Sequence, residues 1–67
     1  MKAAEARAFL GQEVMLFRAS RPGCPPLRVR ILEVVGRNVE YDHYGMSSWE
    51  WLPDVSMAPL PEGQADG

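Results

Sequence analysis

The 67-residue chain has one cysteine, Cys24, and one histidine, His43. A lone thiol excludes an internal disulfide and any cysteine cluster able to hold zinc. A lone imidazole excludes a multi-histidine metal centre within one chain. No apolar run approaches the roughly 18 residues that a membrane helix needs. The opening MKAAEARAFL carries Glu5 and Arg7 where a signal peptide has its apolar stretch. No glycine-rich phosphate loop is present, since Gly45 stands alone. These absences describe a soluble, cytoplasmic protein with no membrane partner, no metal and no cofactor. They also leave no nucleophile with a base and an orienting group: Cys24 sits among prolines, and Glu50 and Asp54 form no recognisable catalytic pair. An enzyme is not expected.

Lysine and arginine are absent beyond Asn38, where six acidic residues lie. Between Gln12 and Arg37 the balance reverses, with five Arg against two Glu. The net charge of −2 therefore hides a bipolar surface, with an acidic edge near Tyr41–Asp54. Such an edge attracts cations and repels phosphate.

What is present suits one small domain. Hydrophobic residues make up 46% and charged ones 24%, as in ordinary globular proteins. A domain of this size buries only about 60% of its unfolded surface, so its stability is marginal. AEARAFL predicts a short helix within residues 1–10, stopped by Gly11 and dependent on packing of Phe9 and Leu10. EVMLFRA alternates Val14 and Leu16 against Met15 and Phe17 and predicts a strand. SRPGCPP is a loop, because its three prolines cannot donate to a ladder. LRVRILEVV sets Leu27, Val29 and Ile31 inward and Arg28 and Arg30 outward. Its phase breaks near Leu32–Glu33, which predicts a bend or bulge. Gly36-Arg37-Asn38 is a hairpin turn, NVEYD a short strand, HYGMS a second turn and SWEWL a further strand. Pro53 ends that strand in a tight helical turn, and SMAPL is the last strand. Turn signals every 8–12 residues predict a mainly β domain over residues 11–61, as a small closed barrel or a strongly bent sheet. Residues 62–67 have nothing to bury and are expected to form a flexible tail. Val14, Leu16, Val29, Ile31, Val39 and Leu52 are the predicted core.

Tyr41–Pro53, YDHYGMSSWEWLP, holds four of the six aromatic residues in a mostly polar setting. Period 2 places Trp49 and Trp51 on one face of their strand, and in a domain this small at least one is expected to be structural. Tyr41 follows Val39 in phase and belongs to core or rim. Tyr44 sits in a turn beside Gly45 and is the aromatic expected to project.

In this window the chain resembles the chromo-barrel and Tudor branch of SH3-like barrels. Val39–Tyr41 matches the strand, His43-Tyr44-Gly45 the turn and Trp49-Glu50-Trp51-Leu52-Pro53 the tryptophan strand. Val55–Leu60 matches the closing segment, and GQEVMLFRA with LRVRILEVV the first two strands. The resemblance implies a five-stranded SH3-like barrel after a short N-terminal helix. It also implies a non-catalytic binding module. In such families an aromatic cage holds methylated lysine or arginine, because ring faces attract a weakly hydrated cation. Tyr44 and Trp51 match cage positions, while Met46 stands where a chromo barrel carries another tryptophan. The expected partner is a protein or peptide segment, preferably cationic, held by Tyr44, Trp51 and Phe17, with Tyr41 and Trp49 beside them. Asp42 and Glu50 supply negative field. Two other classes stay open: a nucleic-acid module using Arg18, Arg21, Arg28 and Arg30, and a homo-oligomeric scaffold whose exposed aromatics are its interface.

Overall fold

The computed structural model describes residues 1–60; the tail expected at 62–67 lies outside them. Helix α1 covers Ala3–Arg7. Five strands follow: β1 (Glu13–Arg18), β2 (Leu27–Val35), β3 (Asn38–His43), β4 (Met46–Trp51) and β5 (Val55–Pro59). A single 3-10 turn, Leu52–Asp54, joins β4 to β5. All pairings are antiparallel, in the order β4-β3-β2-β1-β5. The protein is thus a mainly β domain with a short N-terminal helix. No ladder joins β4 to β5 among the described residues.

Alternation decides the core. Val14, Leu16, Val29, Ile31 and Val39 occupy inward positions and are almost completely buried, as is Leu52 of the 3-10 turn, so all six predicted core residues are in place. Tyr41, Val55 and Ala6 complete the cluster. Because β1, β2, β3, the turn and the start of β5 all feed one cluster, the sheet is bent around it.

The helix is shorter than expected and is held differently. Ala6, not Leu10, is its buried residue; Phe9 packs at the margin and Leu10 stays 43% exposed. Alanine fits here because backbone approaches backbone at both ends of the helical segment. The Met1 amine donates to the Leu52 carbonyl at 2.9 Å, and the Gly11 N–H donates to the Ile31 carbonyl at 2.8 Å. Gly11 takes φ 76°, the left-handed conformation that ends the segment and turns it into β1.

β2 has the predicted bounds, and its register with β3 shifts between Ile31 and Glu33. The bulged Leu32 is left exposed. The Ser20–Pro26 loop is exposed throughout, Cys24 included. Its start is fixed, because Asp54 accepts from the Ser20 N–H at 2.8 Å and from the Ser20 hydroxyl at 2.6 Å.

Candidate functional surface

Two tight turns position the aromatic window. Gly36-Arg37 joins β2 to β3 with Gly36 at φ 58°. Tyr44-Gly45 joins β3 to β4 with both residues at positive φ, 54° and 86°. Positive φ at both central residues matches the twist of a two-residue hairpin, and it favours Asn or Gly at the first place. A tyrosine there is strained by about 1–2 kcal/mol. The residue is 85% exposed, and its ring meets the His43 ring edge-on, with centroids 4.6 Å apart.

Register from this turn sorts the window into two faces. Residues opposite each other share a face, so Val39 with Glu50, Tyr41 with Ser48 and His43 with Met46 lie on the core side. Asn38 with Trp51, Glu40 with Trp49 and Asp42 with Ser47 lie outside. Neither tryptophan is structural: Trp49 is 50% and Trp51 56% exposed. The expectation that one of them closes the core is corrected by β4's place at the sheet edge. Its core-side positions, Met46, Ser48 and Glu50, sit at the rim, while Leu52 and Val55 cover the interior instead.

Tyr41 is buried at 5% and belongs to the core, so its ring is not on the surface with the others. Phe17 is exposed on β1, opposite Ser56, with β2 and β3 between it and β4. Tyr44 at the hairpin tip and Trp51 at the far end of β4 are separated by most of a strand, roughly 17 Å at the usual rise per residue. The register therefore places Trp49 and Trp51 together on the outer face of β4 and sets Tyr44 apart from Trp51 along the strand, while Phe17 lies on a strand that β4 meets across the bend, through Arg18 and Glu50.

The charges rearrange as well. Glu50 points to the core side and pairs with Arg18 at 3.9 Å, linking β4 to β1. Asp42 lies opposite Arg30. Arg28 and Arg30 converge on Glu13, at 3.3 and 3.6 Å, and Arg30 also donates to the Gly11 carbonyl at 2.8 Å. With Asp42 and Tyr44 they line a shallow depression of about 290 Å³. The arginine stripe is thus interleaved with acids.

Two residues overlooked in the sequence stand beside the tryptophans. Glu40 lies opposite Trp49, and Glu33 lies opposite Glu40 on the same face. Like charges directly opposite destabilise a sheet, and among the described residues no Lys or Arg forms an ion pair with either. Counting back from the Tyr44-Gly45 turn gives the Glu40–Trp49 pairing; Glu33 is shifted into line by the bulge, whose offset counting does not reveal. Val35, 50% exposed opposite Asn38, lies on the same face, with Asn38 between it and Trp51. No membrane-length apolar helix and no cluster of metal-ligating side chains occurs among the described residues.

Comparison with family models, with curated proteins and with solved structures finds no match to the chain.

Proposed function

We propose that this domain is a non-catalytic binding module that takes a cationic segment of another protein on the outer face of β3 and β4, at Trp49, Trp51, Glu40 and Glu33. The observation that carries this is the unpaired Glu33–Glu40 opposition beside a half-exposed tryptophan. A lysine or arginine laid there relieves the repulsion and meets a ring face, an attraction of roughly 0.5–2 kcal/mol per ring. The cation-binding idea that attached to Tyr44, Asp42 and Glu50 moves along β4, because Asp42 and Glu50 already face arginines.

Nucleic acid is less well supported. Arg28 and Arg30 share Glu13, and Arg18 has Glu50, so three of the four arginines proposed for a phosphate stripe have carboxylates beside them. The glycine turn after β3 and the helical turn between the tryptophan strand and β5 support an SH3-like barrel of the chromo-barrel or Tudor type as the finer description.

The test is a titration followed by backbone-amide spectra, using lysine-rich, neutral and glutamate-rich peptides and a short DNA duplex. Shifts centred on Trp49, Trp51 and Glu40 with the lysine peptide are expected, weakening with salt. Trp49→Ala should lower that affinity roughly 3- to 30-fold. Binding of DNA through Arg28 and Arg30, with no response at the tryptophans, would show the reading to be wrong.

A further inference from the structure

The backbone of β4 carries a second signal at the same place. In a two-residue hairpin the flanking residues, here His43 and Met46, exchange both ladder hydrogen bonds, and bonded pairs then alternate. Ser48 and Glu50 therefore bond to β3. The Leu52 N–H donating to the Arg37 carbonyl at 2.8 Å shows the same phase at the other end. The N–H and C=O groups of Ser47, Trp49 and Trp51 consequently point away from β3, and no strand pairs on that side among the described residues. These are also the residues whose side chains lie on the outer face.

Sheet edges are normally blunted by proline, lysine, bulges or inward charges. β5 ends in Pro59. β4 has no proline, no lysine and an unbroken register with β3, and its one inward charge, Glu50, is paired with Arg18. Among the described residues the edge is open, about 14 Å long from Ser47 to Trp51 at the usual rise, and it carries two exposed tryptophans.

We infer that an extended basic segment of another protein adds antiparallel to the free edge of β4, with Lys or Arg at every second position lying beside Trp49 and Trp51. This rests on the binding function proposed above and specifies its mode. Charge selects the occupant. Glu33 and Glu40 want a cation, and a second copy of this chain brings none in its own β3–β4 hairpin, which holds Glu40, Asp42 and Glu50. Arg37, in the turn, bounds the acidic strip at the Trp51 end. In this geometry the residue opposite Trp49 shares its face and turns its N–H toward β4. The basic residues thus make both the backbone bonds and the ring contacts, while the residues between them make neither.

The probe is an N-acetylated, C-amidated heptapeptide alternating lysine and threonine, with lysine at both ends. At saturation, amide hydrogen exchange of Ser47, Trp49 and Trp51 should slow at least tenfold, with Ser48 and Glu50 unchanged. N-methylation of the lysine amides should weaken binding at least tenfold, whereas N-methylation of the threonine amides should not. If both methylated peptides bind like the parent while Trp49→Ala still weakens binding, strand addition is overturned and the cation site stands. If no lysine peptide shifts Trp49, the binding function itself fails and this mode with it. If Ser47, Trp49 and Trp51 become protected with rising protein concentration alone, and sedimentation shows a dimer, a second copy covers the edge and the inference is overturned.

Discussion

β3 and β4 are each six residues long, are joined by two residues and pair position for position. Yet β3 buries Val39 and Tyr41, and β4 buries nothing. Composition alone points the other way, since β4 holds both tryptophans. The difference is location. β3 has β2 on one side and β4 on the other, so its inward side chains lie beside Ile31 of β2 and share one core cluster with Leu52 and Val55. β4 has one neighbour among the described residues, and its inward row of Met46, Ser48 and Glu50 meets the rim. The large rings are left on the outer face, beside acids.

The largest test of that contrast compares ring with ring. Tyr41→Ala should cost about 3–5 kcal/mol, the range for emptying a buried aromatic site. A domain of this size has total stability of only about 3–10 kcal/mol, so the variant should be largely unfolded. Trp49→Ala should cost about 1 kcal/mol or less, because half the ring is already in water. Urea unfolding with a matched probe measures both. Equal losses for the two variants would mean that β4 builds core after all. Tryptophan emission in the folded protein should also be red-shifted and readily quenched by acrylamide.

A step smaller, Val29→Ala should cost roughly 1–3 kcal/mol, because Val29 lies inward opposite Val14, on two interior strands of the sheet, and is almost completely buried. Ser48→Ala, at the corresponding inward phase of β4, should change stability by less than about 0.5 kcal/mol. A large effect at Ser48 would place the rim further out than the burial pattern does.

How much of this the sequence disclosed depends on how local each feature is. Strand β2 keeps its predicted ends because its alternating run is bounded by Pro26 before it and Gly36 after it. The bulge at Leu32 is visible as a broken phase. Inward positions on β1, β2 and β3 follow from apolar residues two apart. For Trp49 and Trp51 the same period gives a shared face but not which face, and large size was the wrong guide. That β4 is an edge depends on where β5 goes after the Leu52–Asp54 turn, and β5 pairs with β1 at the far side of the sheet. Glu33 meets Glu40 only through the bulge, and Arg18 meets Glu50 only through the bend, across 32 residues of chain. The turn chemistry was half legible: Gly45 announced the turn, but the left-handed Tyr44 did not announce itself.

The Arg18–Glu50 pair sharpens the comparison at the rim. Glu50 pairs by register with Val39, so it is the inward charge of an otherwise uncharged row. Its side chain is 25% and that of Arg18 14% exposed. Glu50→Gln should cost about 1 kcal/mol at low salt and less as salt rises, since the pair is partly solvated and its geometry is loose. A loss of several kcal/mol would mean that the pair is effectively sealed from water and that the β4 rim is part of the interior.

The smallest effect runs in the opposite direction. Tyr44→Asn should stabilise the domain by about 0.5–1 kcal/mol. The left-handed conformation costs a tyrosine about 1–2 kcal/mol, and asparagine adopts it with less strain. Against this stands the edge contact with the His43 ring, 4.6 Å between centroids, an exposed aromatic pair worth about 0.5 kcal/mol at the lower end of its range. Relief of the strain outweighs loss of that contact, so the melting temperature should rise by a few degrees in a domain this small. Binding of a lysine peptide should be unchanged if the site is on the Trp49–Trp51 face. If Tyr44→Asn instead abolishes binding while the fold gains stability, the strained ring is held in place for contact, and the functional surface lies at the hairpin tip beside Asp42 and Arg30 rather than along β4.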